Sequence, residues 1–319
     1  MKRLLTLTLV LALCVPAFAD GYPDRNVTGV VLWGAGGTTD SLIRPLSAVA
    51  EQYLGKSIII QNMTGAAGSV ATQYVYDAKA DGYTLLMGAE NPALYDVLGI
   101  SDVTYDQFDC VYLIGDEAVG IIVGKNSPYK SFTEVINAAK EKPFTLKYSM
   151  TGKGGLPWVV GSFIMDVTGA QFNMIPYDSD SAAKNAVVNG ECEFTACLLL
   201  QGIEEAKAGD VKFLAVLANE PARALPEVPV IVKEFPGFSK YLPWGAFYGV
   251  FAKKGTDPAI IATLADAFTK AGPDENYQKV LLNFDVNFMG YTGEKAAQYI
   301  SSWRKNTVEA LMSSGALDD

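Results

Sequence analysis

The hydrophobic positions near the start of the chain predict a strand that ends in glycines, followed by a helix. Val30, Val31 and Leu32 form a short apolar run, which is typical of a buried strand. After Gly34–Gly37, apolar residues return at helical spacing, at Leu42, Ile43, Leu46, Val49, Ala50 and Tyr53. The pattern therefore predicts a strand, a glycine-rich loop and an amphipathic helix in succession.

The junction between this loop and its helix has features of an anion-binding site. Gly36 and Gly37 allow the backbone to approach a ligand closely. Thr38, Thr39 and Asp40 occupy positions that are typical of helix N-caps. The first N–H groups of a helix have no partners within the helix and carry partial positive charge. The segment therefore predicts either an anion socket or a plain connector.

The same pattern recurs further along the chain. The strand-like segment Ser57–Gln61 leads into the glycine-rich segment Asn62–Gly68, which opens a helix. Lys147–Ser149 leads into Met150–Trp158, and an apolar helix follows. Alternating strands and helices predict an α/β fold with mainly parallel sheets, whose loops converge at the carboxyl ends of the strands.

The order of the elements predicts two α/β lobes. A second series of strands begins near Val119, and a proline-rich crossing runs from Pro221 to Pro243. We predict a discontinuous first lobe of residues 20–118 and 243–319, and a second lobe of residues 119–242. The ligand cleft is expected between them.

The first 19 residues have the pattern of a secretory signal peptide. Lys2 and Arg3 form a positively charged start, Leu4–Val15 is apolar, and Ala17–Ala19 is an A-x-A cleavage site. The apolar run is shorter than the roughly 20 residues of a membrane-spanning helix. We therefore predict cleavage before Asp20 and export of the mature protein.

Charge and composition exclude several classes of function. The chain has 25 Lys and Arg against 35 Asp and Glu, and loss of Lys2 and Arg3 changes its net charge from −10 to −12. Such a chain repels nucleic acid and anionic membrane surfaces. It has no histidine, which excludes a Ser-His-Asp triad, a Cys-His pair and any His-ligated zinc. We predict neither a metal nor a cofactor.

Three cysteines, Cys110, Cys192 and Cys197, remain in the predicted mature chain. An odd number does not suggest a disulfide framework. Cys192 and Cys197 either pair in an oxidising compartment or are small buried hydrophobic residues.

Short motifs occur in a fixed order along the whole mature chain. They are Tyr22-Pro23, Gly36–Asp40 (G-G-x-x-D), Asn62–Gly68 (N-x-x-G-x-x-G), Asp81–Leu86 (D-G-Y-T-L-L), Pro176-Tyr177, Ala224–Pro229 (A-L-P-[DE]-V-P), Phe247–Gly249 and Gly255–Pro258. In this order they resemble the substrate-binding receptors of tripartite tricarboxylate transporters, the Bug family. Each motif alone is weak evidence for this family, but so many of them in the same order are specific to it.

The resemblance implies a type II periplasmic-binding-protein fold, with two α/β lobes that close on a small ligand, usually an organic carboxylate. It implies that the first and third glycine-rich loops bind the ligand carboxylate through backbone N–H groups, hydroxyls and water. The ligand contacts expected on this basis are Gly36, Gly37, Thr38, Thr39, Asp40, Ser149, Thr151, Gly152, Gly155, Tyr177 and Ser179. It further implies a monomeric periplasmic receptor, not an enzyme, that delivers its ligand to integral-membrane permease subunits.

Three positions depart from the family pattern. Trp158 stands where family members often carry His, Asp178 where they carry Lys or another polar residue, and Cys197 where they carry Asp. We expect these side chains at the far end of the ligand. An acid there repels the second carboxylate of a dicarboxylate, which favours a monocarboxylate, an amino-acid-like ligand with an ammonium group, or a neutral ligand.

Two other functions stay open on the sequence alone. An exported hydrolase or lyase could use acids such as Asp40 and Asp178 for acid–base chemistry, although no motif pairs a nucleophile with a base. A periplasmic sensor domain could present its ligand-bound form to a signalling partner.

Overall fold

The structure is a computed structural model that describes residues 21–242 and 244–317. The predicted signal peptide and the predicted first mature residue, Asp20, lie outside these ranges. Among the described residues, no helix combines the length and apolar character that a membrane crossing requires.

The described residues alternate between β-strands and α-helices along most of their length. The strands are β1 (Val27–Val31), β2 (Ile58–Asn62), β3 (Thr84–Ala89), β4 (Phe108–Glu117), β5 (Val119–Gly124), β6 (Lys147–Thr151), β7 (Asn173–Tyr177), β8 (Phe194–Leu198), β9 (Val211–Val216), β10 (Ala246–Lys253) and β11 (Val286–Tyr291). The helices are α1 (Thr38–Leu54), α2 (Ser69–Asp77), α3 (Phe132–Glu141), α4 (Leu156–Thr168), α5 (Asp180–Val188), α6 (Leu199–Ala208), α7 (Ile231–Glu234), α8 (Pro258–Ala271), α9 (Glu275–Asn283) and α10 (Gly293–Ser313).

Six strands form the sheet of the first lobe, in the order β11-β4-β10-β3-β1-β2. We use "first lobe" for this sheet and the helices packed on it, residues 27–117 and 246–317. β1 pairs in parallel with β2 and β3, so the loops after these three strands open at one edge of the sheet. β10 pairs antiparallel with β3 and β4, and β11 pairs antiparallel with β4.

Five strands form the sheet of the second lobe, in the order β7-β6-β8-β5-β9. We use "second lobe" for this sheet and its helices, within residues 119–242. β6 pairs in parallel with β7 and β8, whereas β5 pairs antiparallel with β8 and β9. The loops after β6, β7 and β8 therefore share one edge of this sheet.

Both sheets are mixed, so the prediction of mainly parallel sheets is wrong. The antiparallel pairs involve the strands on either side of the two chain crossings between lobes, β4 and β5 on the way out and β9 and β10 on the way back. β4 passes to β5 in the other sheet through Ala118 alone, without the crossover helix that joins parallel strands within one sheet. The α/β class itself is confirmed.

The two crossings touch each other. Ala118 is the single residue between β4 and β5, and the return crossing passes it at Gly245. A Cβ atom on Gly245 would lie 2.1 Å from the backbone oxygen of Glu117. Helix α10 fixes this point, because Trp303 donates from Nε1 to the Gly245 oxygen at 3.0 Å and stacks on Trp244 with ring centroids 5.6 Å apart.

Helix α10 also joins the two lobes. It packs on β4 of the first lobe and on α4 of the second. Trp244 donates from Nε1 to Thr307 Oγ1 of this helix at 2.8 Å. Phe163 of α4 lies edge-on to the Trp244 ring, with centroids 4.9 Å apart. One aromatic cluster therefore connects α4, the return crossing and α10.

Candidate functional site

A cavity of about 520 Å³ lies where the two lobes meet. The first lobe contributes Trp33, the start of α1 (residues 37–39) and the residues that follow β3. The second lobe contributes the loop Thr151–Leu156 and the loop Asp178–Ser181. Ala246 and Tyr248 of β10 complete the wall beside the return crossing. Each lobe thus brings loops from the carboxyl ends of its parallel strands to one space.

The first glycine-rich loop is held by the carboxylate of Asp40. Gly36 has a left-handed backbone, with φ of 79°, and its N–H donates to Asp40 Oδ2 at 2.9 Å. Arg44 donates from Nε to the same carboxylate at 2.9 Å, and Asn62 Nδ2 donates to Oδ1 at 2.8 Å. Asn62 also donates to the Trp33 oxygen at 2.9 Å. The first two glycine-rich loops are therefore tied together behind the cavity wall.

These contacts make Asp40 a stable anion. Burial raises its pKa, but the hydrogen bonds from Arg44, Gly36 and Asn62 outweigh burial and lower the pKa below its usual value. With Asp40 turned back to Gly36, the helix begins at Thr38 and its N-cap, Gly37, has no side-chain cap. The first residues of α1 line the cavity, and no side chain caps the start of the helix.

The third glycine-rich loop makes a tight turn at the start of α4. The Gly155 N–H donates to the Gly152 oxygen at 3.0 Å, and Gly155 is the N-cap of α4, again without a side-chain cap. A Cβ atom on Gly155 would lie 1.8 Å from Thr151 Oγ1. Thr151 donates from that oxygen to Asp180 Oδ1 at 3.0 Å. Because Gly155 has no side chain, the Thr151 side chain has room to reach Asp180.

The start of α1 and the start of α4 thus line one cavity from opposite lobes. Thr38 and Thr39 of α1 and Leu156 of α4 have backbone N–H groups that no helical turn satisfies, whereas Pro157 has none, and each helix start carries the positive end of a helix dipole. Thr38, Thr39 and Thr151 add hydroxyl groups to the same wall. Such an arrangement can hold a carboxylate without any arginine.

Eight of the expected contact residues line the cavity. They are Gly37, Thr38, Thr39, Thr151, Gly152, Gly155, Asp178 and Ser179. Asp178 and Ser179 are exposed at its rim, and the Ser179 hydroxyl accepts the N–H of Ala182 at 3.1 Å as the N-cap of α5.

Gly36, Asp40 and Ser149 are not among the wall residues. Gly36 and Asp40 shape the first loop from behind through the bonds described above. Ser149 is fully buried, and its hydroxyl donates to the Ala183 oxygen at 2.7 Å, which ties β6 to α5.

Trp158, Tyr177 and Cys197 also lie outside the cavity wall. Trp158 is buried in the main hydrophobic core. The Tyr177 hydroxyl lies 3.3 Å from Glu191 Oε2 and 3.6 Å from Cys192 Sγ. Cys197 is buried in a small apolar cluster with Cys192, and both thiols are free. Two of the three departures from the family pattern, Trp158 and Cys197, therefore fill the interior of the second lobe.

Most of the chain matches one protein family. The family described as "Tripartite tricarboxylate transporter family receptor" matches residues 42–313. The chain belongs to this receptor family. The resemblance drawn from the sequence motifs is confirmed, and the receptor is a member of a periplasmic solute-binding family rather than an enzyme.

Individual relatives and solved structures are similar to the receptor over most of its length. It is 29% identical over 291 residues to a UPF0065 protein in the gbd 5' region of Cupriavidus necator, which covers 90% of this chain and 87% of that protein. The structure titled periplasmic binding protein BugD has a TM-score of 0.76 at 22% identity, covering 93% and 100% of the two chains. R. palustris Rpa4515, solved with adipate, has a TM-score of 0.77 at 24% identity, covering 92% and 98%. The two-lobed fold is confirmed.

The receptor's cavity also contains acidic and amide groups that the sequence did not predict as site residues. Glu90 and Asn91 follow β3, and Asp180 begins α5. Atoms Oε2 of Glu90 and Oδ1 of Asn91 are buried and have no hydrogen-bond partner among the described residues. The sequence did contain a signal for these two residues. They follow the apolar strand β3, which runs parallel to β1, so they lie at the same carboxyl edge of the sheet as the first glycine-rich loop.

The receptor's buried acids resist ionisation. Burial raises the pKa of Glu90 to about 7, and the charge of Asp180 adds to the rise. Burial also raises the pKa of Asp180, against the hydrogen bond from Thr151. Beside the first crossing, burial raises the pKa of Glu117 to about 8, although Tyr248 donates to Glu117 Oε2 at 3.0 Å. The cavity wall at Glu90 and Asp180 therefore disfavours added negative charge.

The described residues of the receptor contain no group of three or more His, Cys, Asp or Glu side chains placed to hold a metal ion.

Proposed function

We propose that this receptor binds a small organic acid between its two lobes, closes on it, and delivers it to the permease subunits of a tripartite tricarboxylate transporter. The observation that carries the proposal is the meeting of two helix N-termini, those of α1 and α4, at one cavity. A site built in halves on two lobes binds most tightly when the lobes approach, so the ligand favours the closed arrangement.

The proposed carboxylate contacts are the backbone N–H groups of residues 38–39, 152–154 and 156, because the N–H groups of Gly37 and Gly155 already donate within their loops. The hydroxyls of Thr38, Thr39 and Ser179 are further proposed donors from the same wall, whereas the Thr151 hydroxyl already donates to Asp180. The adipate in the Rpa4515 structure is consistent with an organic acid as the ligand class. We retain Asp178 as a proposed rim contact, and we assign Asp40 to holding the first loop.

Thermal unfolding with a library of organic and amino acids tests ligand binding. Because only the folded protein binds, a ligand at 100 times its Kd stabilises it by about 2.7 kcal/mol and raises Tm. Each active acid is paired with its primary amide, which has the same shape without the carboxylate charge and should leave Tm unchanged. A library in which no acid raises Tm would contradict the proposal.

Small-angle scattering with and without the active acid tests closure. The radius of gyration should fall on saturation, because the lobes move together around residues 117–119 and 244–246. An unchanged scattering profile at saturating ligand would argue against closure.

Export and delivery are separate proposals with their own measurements. Intact mass of the protein from the periplasm should match a chain that starts at Asp20, and its mass in solution should be that of a monomer. Uptake of the labelled acid into vesicles that contain the permease should require the ligand-bound receptor. Uptake that proceeds equally well without it would contradict delivery.

A further inference from the structure

The cavity wall carries two sets of groups with opposite charge preferences, and together they limit what the ligand can be. One set is the start of α1 (Thr38 and Thr39) and the loop into α4 (residues 152–154 and 156), whose backbone N–H groups favour a negative charge. The other set is Glu90, Asp178 and Asp180, and Lys153 is the one basic residue among the described residues of the wall. A ligand with a single type of charge matches only one of these sets.

Glu90 is the group that most needs a partner. Its Oε2 atom is buried without a hydrogen-bond donor among the described residues, and the neighbouring Asn91 Oδ1 is in the same situation. Buried acceptors are nearly always satisfied in native structures, so two of them in the wall of a ligand cavity indicate a ligand that donates. Asp180 approaches from the second lobe and is already oriented by Thr151 at 3.0 Å.

We infer that the receptor's ligand is an amino carboxylate, whose carboxylate lies at the starts of α1 and α4 and whose ammonium group is bound by Glu90, Asn91 and Asp180. An ammonium group has three N–H donors and no acceptor, which matches the acceptor oxygens of Glu90, Asn91 and Asp180. A dicarboxylate would place its second negative charge against these acids. Trp33, Leu98 and Ile100 of the wall contact the apolar body of the ligand.

The inference rests on the proposed function and deepens it. Isothermal titration at pH 8 tests it with the twenty protein amino acids and 4-aminobutyrate, each paired with the carboxylate that lacks its amino group. Malate, glutarate and adipate complete the set. At least one amino carboxylate should bind tenfold or more tightly than its partner without the amine, and more tightly than every dicarboxylate.

Glu90→Gln should weaken binding of the amino carboxylate at least tenfold. It should change the affinity for the matching carboxylate that lacks the amino group by less than twofold. Asp180→Asn should weaken the amino carboxylate several-fold and supplies a second test should Glu90→Gln fold poorly. Glu141→Gln is the matched control, because it removes one charge from an exposed end of α3 far from the cavity wall.

The pH dependence of the binding preference shows whether Glu90 binds an ammonium group as an anion or donates to a ligand oxygen as a neutral acid. The preference for the amino carboxylate should grow about tenfold from pH 6 to pH 8.5, because only ionised Glu90 attracts an ammonium group. If a protonated Glu90 instead donated to a ligand oxygen, the preference would fall over this range. The titratable groups that act on Glu90 or feel its charge are Asp180 of α5, Glu117 of β4, Tyr248 of β10, Tyr299 of α10, Tyr95 and Tyr105.

The outcomes distinguish this inference from the proposed function. Tight binding of malate or adipate, with weaker binding of every amino carboxylate, overturns the inference and leaves an organic-acid receptor. An affinity ratio that Glu90→Gln does not change also overturns it. If none of these compounds binds, the proposed function fails together with the inference.

Discussion

At the scale of single residues, two acids near the cavity act in opposite ways. Asp40 is surrounded by donors from Gly36, Arg44 and Asn62 and is stable as an anion. Glu90 has a buried oxygen without a hydrogen-bond donor, so its ionised form destabilises the folded protein. The folded protein therefore gains stability from ionising one carboxyl group and loses stability from ionising the other.

Asp40→Asn should lower the free energy of unfolding by about 2 kcal/mol at pH 7, because hydrogen bonds to a charged group are lost. The pKa of Asp40 is lowered on folding, so its contribution is present above pH 4 and is lost as pH falls through the folded pKa. Urea unfolding at pH 7 and at pH 3 should therefore show a difference that shrinks in acid. Asp210→Asn, at an exposed pair with Lys125, should cost less than about 1 kcal/mol.

Glu90→Gln should stabilise the ligand-free protein at pH 8 by up to about 3 kcal/mol and change little at pH 4. Folding raises the pKa of Glu90 from 4.5 to about 7. Its ionisation therefore destabilises the folded state progressively between these values, and glutamine removes this effect. Urea unfolding across pH 4–8.5 measures it, with Glu141→Gln as control. A variant that lost stability at pH 8 would show that the Glu90 charge already has a partner.

At the scale of elements, the sequence predicted the glycine-rich loops and their helices better than the buried strands. Helices α1 and α4 follow glycines and carry apolar residues, so their starts could be placed. Strand β4 has no alternation from Val111 to Glu117, because both of its faces are buried, and no periodicity marked it. Helix α4 is buried from Leu156 to Ile164, so spacing could not show that Trp158 lies in the core.

The third loop depends on the absence of a side chain at Gly155. Gly155→Ala should lower stability by about 1–3 kcal/mol, because its Cβ would displace Thr151 from its bond with Asp180. The affinity for the acid identified by thermal unfolding should fall at least tenfold. Gly152→Ala is the control for stability, since no atom lies within 4 Å of its Cβ position. Equal melting temperatures for the two variants would contradict this account.

At the scale of the whole molecule, the two chain crossings between the lobes lie beside the cavity. The chain passes out at Ala118 and returns at Gly245, next to Ala246 and Tyr248 of the cavity wall. Helix α10 packs on both lobes and holds the return crossing through Trp303. Wall residues Ala246 and Tyr248 therefore directly follow the return crossing, about which the proposed closure would occur.

Gly245→Ala should separate the two crossings. The new Cβ would lie 2.1 Å from the Glu117 oxygen, a backbone atom that can move only if β4 or the return crossing shifts. Overpacking of this kind costs about 1–3 kcal/mol, so the variant should melt at a lower temperature than the parent protein. Gly34→Ala is the matched control, because its nearest neighbour would be a methyl group at 4.0 Å. Since the displaced segment adjoins Tyr248, Gly245→Ala should also weaken ligand binding beyond what Gly34→Ala does. Unchanged melting would mean that the crossings already have room to separate.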